Sequence, residues 1–284
     1  MYFDKNSSYL YGKYLLSLIG IFIICSFCLL YKSSWLTIFF SFSVGVILYI
    51  YIYIIYMYTA VIVEPRKHIA LNLVLSNFNK NLNDDWKFLI YHGNLNEEFI
   101  REIIIANGME NRCKMISLNV DNLSINCYNK LLYSHFFYEN IDTDFFLIFQ
   151  TDTLISNKYK DNIYNFLNYH YVGAPWKNLN KVGNGGLSLR KKSKMIEMTT
   201  KGGYIKNNGE FHYEDRFFTN TTGDNIDIDL NIPNVEEAKQ FSVETIFSDN
   251  SFGLHKPWNY LTSKELDLLK INFPELEELI LLNK

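Results

Sequence analysis

The stretch Tyr171–Arg190, YVGAPWKNLNKVGNGGLSLR, is the centre around which the chain is organised. Within it, four glycines and one proline surround Trp176 and Asn184. Backbone this rich in glycine can adopt positive φ angles and lets a ligand approach the main chain. The last four residues, Leu187–Arg190, resume a strand-like or helix-like pattern that ends in a cation. The stretch is typical of a ligand-binding loop, and a plain glycine turn between two strands is the alternative.

Length and charge narrow the class of protein. A chain of 284 residues can bury one sizeable core and carry an appendage. Its formal net charge is −3, and without residues 1–63 it retains 24 basic and 29 acidic side chains, a net charge of −5. Nucleic-acid-binding domains carry a basic footprint, so this composition argues against nucleic acid as a partner. The four cysteines form no disulfide framework, which favours a reducing compartment.

Two uncharged runs lie near the N-terminus. Residues 14–31 and residues 35–63 contain no charged side chain. The first has the length of a membrane span, and the second is too long for one span, so its last residues, 59–63, are predicted to form a strand. The sequence thus predicts an integral, multi-pass membrane protein with two spans, about 14–31 and 35–56. Because more basic residues flank the outer ends of these spans than the turn between them, we expect the rest of the chain to be cytoplasmic.

From residue 59 onward, strand-like and helix-like segments alternate. The predicted strands are 59–63, 86–91, 114–119 and 144–149, and the predicted helices between them are 68–82, 97–106 and 124–138. This alternation predicts an α/β fold with a mostly parallel sheet flanked by helices. Ligands of such sheets bind beyond the carboxyl ends of the strands, which are followed here by the polar segments Glu64–Arg66, His92–Asn94 and Gln150–Asp152.

Seven short sequence blocks occur in order along this region. They are AVIVEPR (60–66), WKFLIYHG (86–93), FLIFQTDT (146–153), YVGAPW (171–176), VGNGGLSLR (182–190), EDRFF (214–218) and FGLHKPW (252–258). In these blocks the chain resembles a glycosyltransferase-like domain family of unassigned function, which is itself similar to GT-A transferases. The resemblance implies a GT-A-like fold, that of nucleotide-diphospho-sugar transferases. The predicted organisation is a tail with two transmembrane helices (1–58), a GT-A-like domain (59–260) and a C-terminal helical tail (261–284) that starts with the capping box of Thr262 and Glu265.

The resemblance implies a nucleotide-sugar donor whose leaving diphosphate is neutralised by a divalent cation, Mn²⁺ or Mg²⁺. GT-A enzymes hold that ion with an Asp-x-Asp after a buried strand, and the matching position here has a single carboxylate, Asp152. Asp152 is thus the candidate metal and donor-site residue, His255 would add an imidazole to the metal site, and Lys256 would meet the phosphates. A turn cap at Asp152 and a packed structural imidazole at His255 are the alternatives. The literal Asp142-x-Asp144 precedes the strand, so we expect it at the opposite edge of the sheet.

Further donor-binding candidates come from the first and fifth blocks. They are Glu64, Arg66, Gly183, Asn184, Gly185, Gly186 and Arg190. By the resemblance, the asparagine and the glycines beside it would form the wall under the sugar, and the end of the first strand would meet the nucleotide base and ribose. Arg190 would reach a phosphate or pair with a carboxylate. A structural salt bridge is the alternative for Glu64 with Arg66.

An inverting transferase needs one carboxylate to take the proton of the acceptor hydroxyl. The candidates are the adjacent Glu214 and Asp215, and we favour Asp215 as the catalytic base and Glu214 as an acceptor ligand or a charge at the start of a helix. A solvated acidic pair at the start of an amphipathic helix is the alternative. The leading hypothesis is a membrane-anchored, hexosyltransferase-like glycosyltransferase with a glycan, lipid or protein acceptor. The other hypotheses are a catalytically inactive module that binds a sugar nucleotide or a glycan, motivated by the single carboxylate at Asp152, and a membrane scaffold protein.

Overall fold

Six strands form the central sheet of the computed structural model, which describes residues 58–222 and 227–284. In chain order the strands are β1 (Tyr58–Glu64), β2 (Trp86–His92), β3 (Cys113–Ser117), β4 (Phe145–Phe149), β5 (Thr153–Ile155), β6 (Tyr171–Gly173), β7 (Pro175–Trp176), β8 (Lys181–Val182), β9 (Leu187–Lys191), β10 (Ser242–Val243) and β11 (Gly253–His255). The central sheet has the order β3-β2-β1-β4-β9-β6. Its first four strands are parallel, and β9 runs antiparallel to both β4 and β6. The predicted α/β fold with a mostly parallel sheet is therefore confirmed.

The helices connect and cover these strands. They are α1 (Leu71–Asn81), α2 (Glu97–Ala106), α3 (Ile125–Tyr133), α4 (His135–Glu139), α5 (Lys192–Lys201), α6 (Glu214–Phe218), α7 (Val235–Ala238), α8 (Ser263–Leu269) and α9 (Leu276–Leu282). The single helix predicted over 124–138 is divided at Ser134, because this residue has an extended backbone and its side chain caps α4. The two helices predicted in the tail are present as α8 and α9, and Thr262 and Glu265 form the capping box of α8.

Alternate residues of each strand pack on opposite faces of the central sheet. In β1, Ile62 belongs to the core cluster that contains Phe78 of α1, whereas Val61 belongs to the cluster that contains Phe137 of α4. Phe78 stacks on Phe149 of β4 with ring centroids 4.0 Å apart. Strand β4 is apolar along its whole length because both of its faces are covered. This packing fixes the register, since a shift by one residue would exchange the two faces.

A second, three-stranded sheet with the order β10-β11-β5 brings the C-terminal half of the chain to the end of β4. Strand β11 pairs antiparallel with β5, so that His255 lies opposite Thr153. The turn between β4 and β5 is closed by Thr153 Oγ1, which donates to the carbonyl of Gln150 at 2.6 Å. Asn283, beyond α9, donates its side-chain amide to the carbonyl of Thr151 at 3.0 Å. The turn that follows β4 is thus fixed by a hydrogen bond within itself and by one from Asn283.

The membrane prediction is corrected by the structure. None of the helices within residues 58–222 and 227–284 is long and apolar enough to cross a membrane. Residues 14–31 and 35–56, on which the prediction of two spans depended, lie outside the described residues. The prediction of an integral, multi-pass membrane protein is therefore withdrawn.

We predict that residues 58–284 fold without the preceding segment, because they form one compact unit that contains the whole central sheet. A fragment of residues 58–284 should show a single cooperative thermal transition in circular dichroism. A gradual, non-cooperative loss of signal would show that the unit needs residues 1–57 to fold.

Candidate active site

A cavity of about 440 Å³ opens at the carboxyl ends of β1 and β4. The sequence-predicted residues that line it are Glu64, Arg66, Asp152, Asn184, Gly185, Gly186, Glu214, Asp215 and His255. Parallel strands end at one edge of a sheet, which accounts for the first three. Strand β9 runs the opposite way, with Leu187 opposite Phe149, so the glycine-rich loop before β9 reaches the same edge. Gly183, Arg190 and Lys256 are not among the residues that line the cavity.

An ionic network joins His255, which lines this cavity, to the carboxylates of Asp152 and Glu244. His255 Nε2 lies 3.3 Å from Asp152 Oδ1, and His255 Nδ1 lies 3.2 Å from Glu244 Oε1. Both are ion-pair distances, but Asp152 Oδ1 and His255 Nδ1 have no aligned hydrogen-bond partner. Burial lowers the pKa of His255, and the carboxylates of Asp152 and Glu244 outweigh burial and raise that pKa to about 10. The imidazole is therefore protonated at neutral pH.

Asp152 is the ionised partner of two cations. Burial raises the pKa of Asp152, but the positive charges of His255 and Lys256 prevail and lower it. Lys256 Nζ lies 3.7 Å from Asp152 Oδ2. The backbone of Lys256 has a φ of 46°, a left-handed conformation that is uncommon outside glycine and occurs often at functional sites. The end of β11 thus sets two cationic side chains, His255 and Lys256, beside the cavity, each at ion-pair distance from Asp152.

The side chain of Asn184 connects the glycine-rich loop to this network. Its Nδ2 donates to Glu244 Oε1 at 2.8 Å, and its Oδ1 accepts the backbone N–H of Gly186 at 2.9 Å. Asn184 and Glu244 are both buried. The loop is therefore fixed by hydrogen bonds from the side of the small sheet, and its position depends on Glu244.

Two glycines of this loop are required by close packing. A Cβ atom on Gly186 would overlap the imidazole of His255, and a Cβ atom on Gly185 would overlap the carboxylate of Glu214. Any larger residue would have to displace one of these groups, and both are buried and ion-paired. The role expected for Gly185 and Gly186, a backbone wall under the sugar, stays a prediction.

Arg190 forms a buried ion pair with Glu214. The side chain of Arg190 is fully buried, and its Nη1 and Nη2 donate to Glu214 Oε2 and Oε1 at 2.5 and 3.0 Å. The guanidinium also donates from Nε to Ser188 Oγ at 2.9 Å and lies 4.7 Å from the centre of the Tyr171 ring. Of the two roles expected for Arg190, pairing with a carboxylate is the one that this structure contains. Glu214 lines the cavity, but both of its carboxylate oxygens already accept hydrogen bonds from Arg190.

Asp215 has a perturbed acid equilibrium. Burial and the negative charge of Glu214 raise the pKa of Asp215 from its ordinary value of 3.8 to about 7. Asp215 lines the cavity and accepts the backbone N–H of Arg216 at 2.7 Å. A carboxyl group with a pKa near 7 can exchange a proton efficiently at neutral pH.

Glu64 and Arg66 pair with each other at the rim of the cavity. Arg66 donates from Nε and Nη2 to the two carboxylate oxygens of Glu64, both at 2.8 Å. The amide of Asn96 holds this turn by donating to the carbonyls of both residues at 2.8 Å. The salt bridge expected as an alternative is therefore formed, and both residues also line the cavity. Gly183 lies elsewhere, against the side chain of Thr219.

Sequence reasoning missed Glu244. It follows the two-residue strand β10 and belongs to none of the seven sequence blocks, so nothing local distinguishes it from other acidic residues. Only the pairing of β10 with β11 reveals its role, because that pairing sets Glu244 beside His255.

The side chains predicted to bind a metal ion do not form a metal site in the described part of the chain. Within residues 58–222 and 227–284, no group of three or more His, Cys, Asp or Glu side chains is arranged to hold a metal ion. Asp152 offers a carboxylate, which is a ligand type that suits Mn²⁺. Its Oδ1 accepts no aligned hydrogen bond but lies at ion-pair distance from His255 Nε2. His255 would have to release its proton before its imidazole could bind the same ion.

Comparison with solved structures finds distant similarity to glycosyltransferases. The apo form of the glycosyltransferase GlyE of Streptococcus pneumoniae TIGR4 is 13% identical, with a TM-score of 0.48 over 80% of this chain and 62% of that chain. The galactosyltransferase LgtC, in complex with donor and acceptor sugar analogues, is 12% identical, with a TM-score of 0.47 over 75% of this chain and 96% of that chain. The mannosyltransferase PcManGT of Pyrobaculum calidifontis, in complex with GDP-Man and Mn²⁺, is 11% identical, with a TM-score of 0.45 over 63% of this chain and 55% of that chain. The present chain thus spans less than two thirds of GlyE.

Comparison of sequences places the chain in a family. The family described as "Protein of unknown function (DUF5672)" matches residues 112–255, about half of the chain, and the chain belongs to that family. No curated protein matches the sequence. The matched range begins at the residue before β3 and ends at His255, so it includes Asp152, the glycine-rich loop and the acidic pair.

We predict that Glu214→Gln destabilises the protein by about 3–5 kcal/mol, because it leaves the buried charge of Arg190 without its counterion. Urea unfolding at neutral pH measures this change. The control is Glu97→Gln, which breaks the exposed pair of Glu97 with Arg101 and should leave the unfolding midpoint unchanged. Equal midpoints for the two variants would show that the Arg190–Glu214 pair has no structural role.

We predict that Asp215→Asn stabilises the folded protein, and more so at high pH. The folded state binds the Asp215 proton more tightly than the unfolded chain, so the stability of the wild type falls as pH rises from 3.8 to about 7 and stays reduced above that range. Asparagine carries no charge and avoids this loss. The gain in melting temperature should be larger at about pH 8 than at about pH 5. A gain independent of pH, or a loss at about pH 8, would contradict the raised pKa.

Proposed function

We propose that this chain is a glycosyltransferase that moves a sugar from a nucleotide-sugar donor to an acceptor hydroxyl. One observation carries the proposal: a single cavity at the strand ends lies beside the side chains of Lys256 and His255 and also contains a carboxyl group whose pKa is about 7. Lys256 supplies a positive charge that suits a diphosphate, and His255 supplies another as long as its imidazole keeps its proton. Asp215 supplies the carboxyl group, which suits proton transfer at neutral pH.

The arrangement of the cavity supports an orientation for the donor. The nucleotide base and ribose would lie at the end of β1, beside the fixed pair of Glu64 and Arg66. The diphosphate would lie by Asp152 and Lys256, at the end of β4 and β11. The sugar would then rest on the glycine-rich loop, whose backbone can be approached closely because Gly185 and Gly186 have no side chains.

Asp152 would hold a divalent cation, Mn²⁺ or Mg²⁺, with the remaining ligands supplied by the donor diphosphate and water. His255 would join these ligands only after its imidazole has released its proton. When bound, such an ion neutralises the charge that develops on the leaving diphosphate. Lys256 adds a permanent positive charge to the same place. Asn184 keeps the loop against this charged end through its hydrogen bond to Glu244.

Asp215 is the proposed general base of an inverting transfer. Its carboxylate takes the proton of the acceptor hydroxyl while the acceptor oxygen bonds to the anomeric carbon, and the bond from that carbon to the diphosphate oxygen breaks. Glu214 is less suited to this step, because both of its oxygens accept hydrogen bonds from Arg190. In this proposal Glu214 positions Asp215 and raises its pKa, and the acceptor-ligand role predicted for Glu214 is not adopted.

A panel of nucleotide sugars tests this function. Full-length protein is incubated with UDP-glucose, UDP-galactose, UDP-N-acetylglucosamine, GDP-mannose and related donors, with and without Mn²⁺, and released nucleoside diphosphate is measured. At least one donor should be turned over, and Asp152→Asn should lower its turnover about tenfold or more. Asp142→Asn is the matched control, because Asp142 is exposed in the other Asp-x-Asp of the chain, and it should retain full activity. No release from any donor, or equal activity in both variants, would contradict the proposal.

A catalytically inactive module that binds a sugar nucleotide is the second candidate. It is favoured by the ionic contacts of Asp152 with both His255 and Lys256. These contacts neutralise the one carboxylate that stands where GT-A enzymes have an Asp-x-Asp. This candidate predicts that a nucleoside diphosphate raises the melting temperature of the protein while no donor is turned over. The transferase predicts both the thermal shift and turnover.

A further inference from the structure

A second cavity of about 660 Å³ adjoins the first. Asn184, Tyr213 and Asp215 line both cavities, so the two meet at the proposed base. Trp176, Glu244, Thr245 and Tyr260 also line the second cavity. We call this second cavity the aromatic cleft. None of the roles assigned to the donor above requires it.

One wall of the aromatic cleft is a hairpin that the small sheet holds in place. Strands β7 and β8 pair antiparallel, with Trp176 opposite Lys181. Thr245 Oγ1 accepts the backbone N–H of Lys177 at 2.9 Å and donates to the carbonyl of Pro175 at 2.8 Å. These two hydrogen bonds hold the residues on either side of Trp176. The backbone of Trp176 is therefore fixed where the residue lines the cleft.

Aromatic side chains from three distant parts of the chain converge on this cleft. Trp176 belongs to the hairpin, Tyr213 directly precedes α6, and Tyr260 lies in the segment after β11. Among the described residues, the exposed large aromatic side chains are Phe136, Tyr213 and Tyr260, at 41%, 55% and 57% exposure. Two of these three, Tyr213 and Tyr260, thus lie at the aromatic cleft. A tyrosine ring offers an apolar face together with a polar hydroxyl group.

Glu244 gives the aromatic cleft a hydrogen-bond acceptor that no protein group uses. Its side chain is buried, and its Oε1 is held by Asn184 at 2.8 Å and lies 3.2 Å from His255 Nδ1. Its Oε2 is a buried oxygen without a hydrogen-bond partner. Buried polar atoms in proteins are nearly always satisfied, and no donor for this oxygen is present among the described residues.

We propose that the aromatic cleft binds the acceptor, and that the acceptor is a carbohydrate. Pyranose rings have apolar C–H faces that stack on aromatic rings and hydroxyl groups that donate to carboxylates, which are the two features that this cleft combines. One sugar ring packs against Tyr260 and Trp176 and donates a hydroxyl proton to Glu244 Oε2. A neighbouring hydroxyl then lies at Asp215, where the two cavities meet. This assignment rests on the proposed transferase function, and it selects a glycan over a lipid or protein acceptor.

An array of defined oligosaccharides, probed with labelled full-length protein in the presence and absence of UDP and GDP, tests this assignment. The wild type should bind a subset of glycans, and Tyr260→Ala and Glu244→Gln should each weaken that binding about tenfold or more. Phe136→Ala removes an exposed aromatic ring outside the cleft and is the matched control, which should bind as the wild type does.

The thermal shift produced by UDP or GDP is measured on the same variants, because it reports the donor cavity alone. Tyr260→Ala should keep the wild-type shift, which shows that the variant is folded and that the two cavities are separable. Wild-type protein that binds no glycan on the array, or Tyr260→Ala that binds as the wild type does, overturns the acceptor assignment. Glycan binding that is lost in Tyr260→Ala, without any shift by nucleotides, supports the cleft as a glycan site while contradicting the transferase.

Discussion

The buried pair of Arg190 and Glu214 is the interaction on which the geometry of the site depends. A fully buried guanidinium is tolerated only when its charge is paired and its donors are used, and Arg190 meets both conditions through Glu214 and Ser188. The pair fastens the start of α6 to strand β9, and therefore fixes Asp215 next to the glycine-rich loop. The same buried carboxylate contributes the negative charge that raises the pKa of Asp215. Folding and acid–base chemistry are thus coupled through one contact.

A second constraint acts from the opposite side of the loop. Glu244 holds Asn184 by a hydrogen bond and lies at ion-pair distance from His255, so one carboxylate ties the loop to the end of β11. Gly185 and Gly186 are closely packed between these two charged groups, with Glu214 on one side and His255 on the other. The loop is therefore positioned by electrostatics at both ends and by the absence of side chains in its middle. This accounts for the density of glycine in a segment that is buried rather than exposed.

The sequence predicts the strands and helices of this fold better than it predicts which of them lie next to each other. The sequence indicates β1, β2 and β4 because strands covered on both faces are apolar along their length. The segments between these strands are recognisable as helices because their apolar residues recur with the helical period. The division of the helix 124–138 escaped prediction because Ser134 fits a helix by composition and ends one only through its cap. Asp152, His255 and Asp215 were predicted as site residues through the resemblance to a family. Glu244 was not, because its importance follows from a long-range strand pairing that has no local signal.

The central claim is that a nucleotide-sugar donor occupies the cavity at the ends of β1 and β4. A crystal structure of the full-length chain, soaked with UDP and separately with GDP, tests this claim most directly. The account predicts a nucleoside diphosphate with its phosphates within hydrogen-bonding reach of Lys256 Nζ and its base beside Glu64 and Arg66. A nucleotide bound at any other surface, or the absence of both nucleotides from a cavity that is open to solvent in the crystal, would contradict it.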